Sequence, residues 1–334
     1  MAFSEHREEW LAQRKGGIGG TDISAIVGKN PWKTPLDVWL GKLGLAQREP
    51  PTEAMWFGTN MEPVIAQRYA EVTGFELLRG PQIAEFWKAS PCHLWHGQTL
   101  IEHPKIPVVI GTPDALVLNA PRGLEVKLSA WKGKEWGRAG TDEVPDHYWL
   151  QCAWYVAITG AEAWDVAVCF GGTRMEVFTV KRDPAIESVL LDAGAEFWEK
   201  YVLRREPPPI DHSQTWARYL AKKFAVGSQV VIESTPEIEK WARDLAEAQE
   251  RRDRAELEER EAKNNLMALI GENKGAKGAF GRATWVRPRP AAVVDWEALA
   301  LELGASEELV AKYSSEQSKS AYLKVTFAGK REEN

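Results

Sequence analysis

The chain has 334 residues, 44% of them hydrophobic and 27% charged, and a formal net charge of −6 at pH 7. This composition is typical of a soluble globular protein with one large domain and an appendage, or with two domains. No apolar run reaches the roughly 18 residues of a membrane-spanning helix, and the N-terminus lacks a signal peptide's apolar core, which predicts a cytoplasmic protein without a membrane partner. The acidic balance excludes a uniformly basic nucleic-acid-binding surface, but it is compatible with a cleft lined by basic residues.

The N-terminal part contains a glycine-rich segment that leads into a helix. The segment runs from Arg14 to Gly28. Within it Thr21 is a good N-cap residue, so the segment suits either an anion site at free backbone amides or a flexible loop before a capped helix. A further helix is predicted from Thr34 to Gly44. A long helix over Met55 to Gly74 then carries Glu62 near its start.

Three charged residues interrupt two short apolar runs in the middle of the chain. The stretch from Ile110 to Lys127 predicts a β-hairpin around a turn at residues 119–123. Glu125 and Lys127 point to the same side of their strand, roughly 7 Å apart, and a hairpin brings Asp114 alongside them. Such a group on an apolar sheet is costly to desolvate unless a divalent cation or a phosphate lies between its members. The same pattern is compatible with a surface hairpin that holds a salt bridge.

The elements after this hairpin predict a mixed sheet flanked by helices. The segment from Ser129 to Gly140 suits either DNA binding or a surface loop anchored by tryptophan, because it mixes aromatic and basic residues: Trp131, Lys132, Lys134 and Arg138. Further along, the pattern predicts a helix, two antiparallel strands and a second helix, over Pro145 to Gly160, Ala163 to Phe170, Arg174 to Val180 and Asp183 to Leu203. This order of elements predicts an α/β fold.

Three consecutive prolines, Pro207 to Pro209, predict the boundary between two domains. Residues 1–209 would form the α/β core, and residues 210–334 a mainly helical appendage with some β-structure. In the appendage, Glu233 to Ile270 carries charges of both signs around a thin apolar stripe, which predicts a long solvent-exposed helix. The segment from Gly271 to Gly281 is predicted to be a loop, followed by a strand from Ala283 to Arg287.

Together these motifs resemble the YqaJ-type viral recombinases, the family of lambda exonuclease within the PD-(D/E)XK nuclease superfamily. The resemblance covers roughly residues 5–205 and rests on five motifs in the family's order: Arg14 to Gly28, Gly58 to Glu62, Thr112 to Asp114, Glu125 to Lys127 and the helix around Gln151. It implies a restriction-endonuclease-like core with a mixed central sheet. It also implies a phage-type 5′-to-3′ exonuclease on double-stranded DNA that produces 3′ single-stranded overhangs for recombination by single-strand annealing.

The resemblance assigns catalysis to five side chains: Glu62, Asp114, Glu125, Lys127 and Gln151. Two Mg²⁺ ions per site, with Mn²⁺ as a substitute, would bind to three carboxylates and one backbone carbonyl: Glu62, Asp114, Glu125 and Val126. Carboxylate oxygens are ligands that Mg²⁺ prefers, and two such ions stabilise the attacking and the leaving oxygen. Lys127 would orient or deprotonate the attacking water, and Gln151 would help to place that water or the scissile phosphate.

The resemblance further implies a pocket for the terminal 5′-phosphate with Arg14, Thr21 and Thr112. Where lambda exonuclease has a lysine after the glycine that precedes the helical Glu, this chain has Thr59, so one cation is missing and the preference for phosphorylated ends is less firmly implied. The implied partners are double-stranded DNA ends, a phage single-strand annealing protein and further copies of this chain, as in the trimeric ring of lambda exonuclease. The implied location is the cytoplasm of a bacterium that carries a phage or prophage.

Two other functions are compatible with the sequence. The first is a structure-specific or non-specific DNA endonuclease on the same core, against which the pocket around Arg14 argues, because a pocket for a DNA end serves an exonuclease. The second is a non-catalytic DNA-binding or assembly protein with a degenerate nuclease core. The complete set of five catalytic candidates argues against that second function.

Overall fold

The computed structural model describes residues 13–46, 50, 52–80, 83, 100–225, 230–286, 296–306, 308–309 and 312. Contacts divide the chain into two compact units, Met1–Ala217 and Arg218–Asn334. Trp216 is buried in the first unit, where its indole Nε1 donates to the carbonyl of Pro209 at 3.2 Å. The predicted domain boundary at residue 209 stays a prediction. Within the described part of the chain, no helix is both long and apolar enough to cross a membrane.

The first unit contains five α-helices among its described residues, and residues with known capping preferences delimit several of them. The helices are α1 Gly20–Ile26, α2 Pro35–Lys42, α3 Glu53–Thr73, α4 Asp146–Thr159 and α5 Pro184–Phe197, the last continued by a π-helical turn at Trp198–Leu203. Thr34 caps α2 by accepting from the Asp37 amide at 3.2 Å, and Pro35 occupies its first position. Helices α3 and α4 end at Gly74 and Gly160, both with positive φ.

A five-stranded mixed sheet forms the centre of this unit. Its described strands and those of a separate ribbon are β1 Leu77–Leu78, β2 Ile101–His103, β3 Ile106–Gly111, β4 Ala115–Val117, β5 Arg122–Ser129, β6 Ala163–Phe170 and β7 Arg174–Lys181. The sheet order is β1-β4-β5-β6-β7, and β2 pairs with β3. Strands β5 and β6 are parallel and the other pairs antiparallel, so α4 is the crossover that parallel strands require. The predicted mixed sheet flanked by helices is confirmed.

Strand β6 is buried along its whole length, as expected of a central strand in a layered α/β fold. Its one charged residue, Asp165, is 1% exposed and accepts from three side chains: Tyr69 at 2.5 Å, Thr179 at 2.7 Å and Arg122 at 2.9 Å. A buried carboxylate is tolerated when it is paired and hydrogen-bonded in this way. Asp165 therefore ties helix α3 to the sheet.

Three predicted elements of this unit are wrong in detail. The run from Ile110 to Leu118 is two strands and not one, because Pro113 has no backbone N–H and the chain leaves β3 for β4 at residues 112–114. Thr21 is not the N-cap of α1: the cap is Gly19, whose amide donates to the side chain of Asp22 at 3.0 Å. The residue pattern from Phe75 to Trp87 also predicts a strand. Among the described residues that strand is limited to β1, and residues 81–82 and 84–87 lie outside them.

The second unit is built on one long helix. Helix α6, Gln214–Lys223, includes the division between the two units, and α7, Pro236–Ile270, follows with Thr235 as its N-cap. A hairpin of β8, Gly275–Gly278, and β9, Gly281–Thr284, comes next, and α8 covers Trp296–Glu302. The predicted long helix is confirmed. The predicted loop is wrong, because residues 275–278 pair with 281–284 as a ribbon.

Candidate active site

A cavity of about 440 Å³ in the first unit lies between β5, the helices α1, α3 and α4, and the connection from β3 to β4. Nine predicted site residues line it: Arg14, Thr21, Glu62, Thr112, Asp114, Glu125, Val126, Lys127 and Gln151. Its wall also includes Thr59, Tyr148 and Tyr155. The structure thus brings the predicted metal ligands, the predicted water-binding groups and the predicted 5′-phosphate residues to one opening.

The pairing of β4 with β5 brings Asp114 beside Glu125. Ala115 pairs with Leu124 and Leu116 with Gly123, so the antiparallel register continued by one residue would place Asp114 opposite Glu125. Asp114 leaves the ladder but stays attached to it, because its Oδ2 accepts the backbone N–H of Val126 at 2.7 Å. Both carboxyl groups are buried, with Asp114 at 6% and Glu125 at 2% exposure.

Glu125 is a buried carboxyl group whose two oxygens have different surroundings. Its Oε1 contacts the Nζ of Lys127 and accepts from Gln151 Nε2 at 2.8 Å. Its Oε2 is buried and has no hydrogen-bond partner among the described residues. Burial and the nearby charge of Asp114 raise the pKa of Glu125 to about 8, although Lys127 opposes this shift. An unsatisfied buried oxygen of this kind is costly to keep without a further partner.

Glu62 approaches the same carboxylates from helix α3. Its Oε1 accepts from Arg79 Nη2 at 2.7 Å, and Arg79 Nε also donates to the backbone carbonyl of Asp114 at 3.3 Å. One guanidinium therefore contacts both the helix and the strand end. Burial and the charge of Asp114 raise the pKa of Glu62 to about 7 despite the opposing charge of Arg79.

Lys127 provides the positive charge of the cavity. Burial alone would lower the pKa of its ammonium, but Glu125 and Asp114 raise that pKa well above its usual range. Its Nζ also lies 4.8 Å from the centre of the Tyr148 ring, a cation–π contact. Lys127 is therefore charged at neutral pH and can donate hydrogen bonds into the cavity.

The three carboxylates have the donor chemistry of a site for hard divalent cations. Two of them have raised pKa values that a cation would lower, and Glu125 Oε2 lacks a partner that a cation would supply. Across the described residues, no group of three His, Cys, Asp or Glu side chains has the arrangement of a preformed metal site. The oxygens are instead directed at Arg79, Lys127 and the Val126 amide.

A second cluster of charged groups lies under the glycine-rich segment. Arg14 Nη2 donates to Thr21 Oγ1 at 3.4 Å. The neighbouring Asp22 is 2% exposed and forms ion pairs with Lys33 Nζ at 2.5 Å and Lys42 Nζ at 2.6 Å. Burial would raise the pKa of Asp22, but Lys42, Lys33 and Arg14 hold it far below its usual range. Lys42 Nζ also donates to the Arg14 carbonyl at 2.8 Å, which fixes the backbone that carries the guanidinium.

The four residues predicted to bind DNA do not line the cavity: Trp131, Lys132, Lys134 and Arg138. Trp131 is 74% exposed. Lys132 pairs with Glu176 at 2.8 Å and lies 5.5 Å from the centre of the Phe178 ring, so it takes part in the structure of the sheet. A DNA-binding role for these residues stays a prediction.

The structure also places residues in the site that sequence patterns did not indicate. Tyr155 lies one helical turn after Gln151; its hydroxyl accepts from Gln151 Nε2 at 3.1 Å and donates to the Thr112 carbonyl at 3.2 Å. A Cβ on Gly20 or on Gly111 would approach this ring to within 3.2 Å or less, so both positions require glycine for close approach. The i to i+4 spacing of Gln151 and Tyr155 was the available signal. No sequence pattern identified Arg79 as a residue of the site.

The mixed sheet carries Asp114 just before β4 and the sequence Glu125-Val126-Lys127 on the neighbouring β5, in the order that the sequence motifs predict. Residues 9–162 match the family model of the YqaJ-like viral recombinase domain. The uncharacterized protein YqaJ of Bacillus subtilis strain 168 is 31% identical over 223 residues, which are 66% of this chain and 64% of that protein. The chain thus spans less than two thirds of the length of this relative.

Two solved structures are similar to this chain at low identity. An alkaline exonuclease, LHK-Exo, from Laribacter hongkongensis is 19% identical with a TM-score of 0.43, over 65% of this chain and 98% of that one. A phage-related exonuclease from Haemophilus somnus 129PT is 10% identical with a TM-score of 0.42, over 57% of this chain and 96% of that one.

Proposed function

We propose that this protein is a Mg²⁺-dependent 5′-to-3′ exonuclease that degrades one strand of double-stranded DNA from its end and leaves a 3′ single strand for recombination by single-strand annealing. The observation that carries the proposal is the convergence of Glu62, Asp114 and Glu125 with Lys127 and Gln151 on one cavity. Clustered carboxylates, two of them with raised pKa values, beside a charged lysine suit the metal-assisted hydrolysis of a phosphodiester.

Each part of the cavity has a role in this proposal. Glu62, Asp114, Glu125 and the Val126 carbonyl would hold the metal, whose chemistry is Lewis-acid stabilisation of the attacking and leaving oxygens. Lys127 is held charged by its carboxylate neighbours, which favours orienting the water or the phosphate over deprotonating the water. Gln151 is positioned by Tyr155 and would help to place the same water or phosphate.

Arg14 and Thr21 form the part of the cavity wall that is the basis for proposing digestion from the 5′ end. These two side chains line the same cavity as the carboxylates, with Thr112 beside them. A guanidinium and hydroxyl groups suit a terminal phosphate, which an end-dependent enzyme recognises. Thr59 lines the cavity as well and supplies no charge. The proposal keeps a single-strand annealing protein and further copies of this chain as partners.

The test is digestion of a linear duplex with a 5′-phosphate and a labelled 3′ end, in Mg²⁺ and in EDTA. Glu125→Gln should lower the rate by more than about 10²-fold, because it removes a charged ligand from the reacting centre. Glu71→Gln is the matched control, because Glu71 lies on the same helix as Glu62 and is half exposed in a pair with Arg68. A Glu125→Gln protein that digests DNA at the wild-type rate contradicts the proposal.

A covalently closed plasmid distinguishes the proposal from an endonuclease on the same core. The exonuclease should leave this plasmid intact, since it offers no end to the wall formed by Arg14 and Thr21. Cleavage of closed and linear DNA at equal rates would assign endonuclease activity to the same cavity. Metal-independent DNA binding without any cleavage would assign a non-catalytic role.

A further inference from the structure

In the hairpin of β8 and β9 in the second unit, two cations lie directly opposite each other. Lys277 and Arg282 are direct cross-strand partners, so their side chains lie on the same face of the ribbon, and both are exposed. Like charges directly opposite each other destabilise a strand pair. A two-stranded ribbon is marginal in stability, so an anion bound between the two cations would stabilise it by offsetting the repulsion.

Carboxylates do not supply that anion within the described residues. Residues 274–285 contain Lys274, Lys277 and Arg282 and no Asp or Glu. Four cations of the preceding helix α7 differ from these, because they pair with carboxylates of the same helix, for example Lys263 with Glu259 at 2.5 Å and Arg252 with Asp253 at 2.8 Å. The hairpin is therefore a local excess of positive charge in a chain with a net charge of −6.

The hairpin is held at a defined place, at the end of α7. Trp285 Nε1 donates to the Gly271 carbonyl at 3.1 Å, and the Trp285 amide donates to the Lys274 carbonyl at 3.0 Å. At the other end of the ribbon, Phe280 is 66% exposed, and its ring lies against Gly278, where a Cβ would be 3.2 Å away. Exposed cations within three residues of an exposed aromatic side chain are typical of surfaces that bind a strand of nucleic acid.

We propose that this hairpin is a binding site for the phosphodiester backbone of a DNA strand, separate from the cavity of the first unit. Lys277 and Arg282 contact phosphate oxygens, and Phe280 packs against a base. The choice of DNA as the polyanion rests on the proposed function. The site itself rests on the opposed cations, which an anionic partner would stabilise whether or not the protein cleaves DNA.

The experiment measures DNA binding by the full chain in EDTA, using fluorescence anisotropy over a series of salt concentrations. The probes are a labelled single strand and the duplex of the same length. Lys277→Gln combined with Arg282→Gln should weaken binding about tenfold and lower the salt slope by about 1.4 to 1.8, as expected for the loss of two phosphate contacts. The matched control is Arg252→Gln with Lys263→Gln, which removes two cations that α7 already pairs, and it should bind as the wild type does.

Thermal unfolding separates a binding role from a structural one. The double substitution in the hairpin removes a repulsion, so the Tm should stay equal or rise while the affinity falls. Lys277→Arg with Arg282→Lys should retain binding. Phe280→Ala should weaken binding to the single strand about fivefold if bases stack on the ring, and an equal loss on both probes would identify duplex backbone as the ligand.

An unchanged Kd and salt slope in the hairpin variant would overturn this proposal. So would a weakening of the same size in the control, because binding would then follow net charge and not the hairpin. The assay involves no cleavage, so its outcome is independent of the nuclease. A protein that binds DNA through the hairpin but leaves all DNA intact would contradict the proposed function alone.

Discussion

The first unit contains two clusters of buried charged groups. In one cluster cations outnumber carboxylates, and in the other carboxylates outnumber cations. Around Asp22, one carboxylate faces the cations of Lys33, Lys42 and Arg14, and its pKa is held far below the usual range. In the cavity, three carboxylates share Lys127 and Arg79, and burial and mutual repulsion raise the pKa of Glu62 to about 7 and that of Glu125 to about 8.

The difference between the clusters shows which buried charged groups have all their partners within the described part of the protein and which do not. Every hydrogen-bonding oxygen of Asp22 is used by a lysine or by the Gly19 amide, so this cluster stabilises the glycine-rich segment without a ligand. The carboxylates of the cavity repel one another, and Glu125 Oε2 lacks a partner among the described residues. Groups whose pKa values are raised by burial and by like charges in a cleft are typical of functional sites. The surplus of cations suits a phosphate, and the surplus of carboxylates suits a metal ion.

Substitution of Asp22 should have the largest effect on stability. Asp22→Asn leaves the Lys42 ammonium, whose side chain is 8% exposed, without its carboxylate, and breaking a buried ion pair in this way costs about 3–5 kcal/mol of unfolding free energy. Urea denaturation monitored by tryptophan fluorescence measures the loss. Asp146→Asn is the control, because its pair with Lys29 is exposed and should contribute less than about 1 kcal/mol. Equal losses in the two variants would mean that Asp22 is not the centre of a buried cluster.

Local periodicity explains which parts of the site could be predicted. The alternation of a strand places Glu125 and Lys127 on one side without knowledge of the fold, and a short connection returns Asp114 to them. The order of helices and strands along the chain was sufficient to predict the mixed sheet. Thr21 was predicted as an N-cap from its residue type, and the structure gives that place to Gly19 because the side chain of Asp22 accepts its amide.

The unpredicted residues owe their positions to tertiary contacts. Arg79 reaches Glu62 across 17 residues and the Asp114 carbonyl across 35, from a position directly after the two-residue strand β1. Lys42 meets Asp22 only because α2 packs beside α1. Sequence periodicity does not predict such pairs, because the two partners lie on different elements and each occupies a position that is ordinary for a polar residue.

The second prediction uses pH to test whether the cavity, unlike the cluster around Asp22, has an excess of negative charge. The pKa of Glu125 is about 8 in the folded chain against an ordinary value of 4.5, so its ionisation opposes folding. The stability that the protonated form contributes is fully present below pH 4.5 and is lost as the pH rises through 8. In metal-free protein, Glu125→Gln should therefore gain on the order of 2 kcal/mol relative to the wild type between acidic and alkaline pH.

Thermal denaturation in EDTA across this pH range measures the gain from Glu125→Gln. Glu71→Gln, on an exposed surface, should show no such trend. A Glu125→Gln protein that becomes less stable than the wild type at high pH would mean that Lys127 satisfies this carboxylate fully, and the contrast with Asp22 would then be lost.

Arg79 provides the finest test, because it touches two of the carboxylate-bearing segments at once. It pairs with Glu62 and holds the carbonyl of Asp114, so it could act as a clamp for the metal ligands or as a cation that competes with the metal. We expect the clamp. Without the guanidinium, Glu62 loses its orientation and a charge that lowers its pKa, so it is protonated more of the time at neutral pH.

Arg79→Ala should accordingly weaken Mn²⁺ binding, measured by calorimetry, by about tenfold, which is the usual cost of removing a group that orients a metal ligand. Arg79→Lys keeps one positive charge but cannot make both contacts, so its affinity should lie between those of Arg79→Ala and the wild type. Arg68→Ala removes an exposed arginine that pairs with Glu71 and serves as the control. Tighter Mn²⁺ binding by Arg79→Ala would identify Arg79 as a competitor, because only a competing cation leaves the carboxylates more available when it is removed.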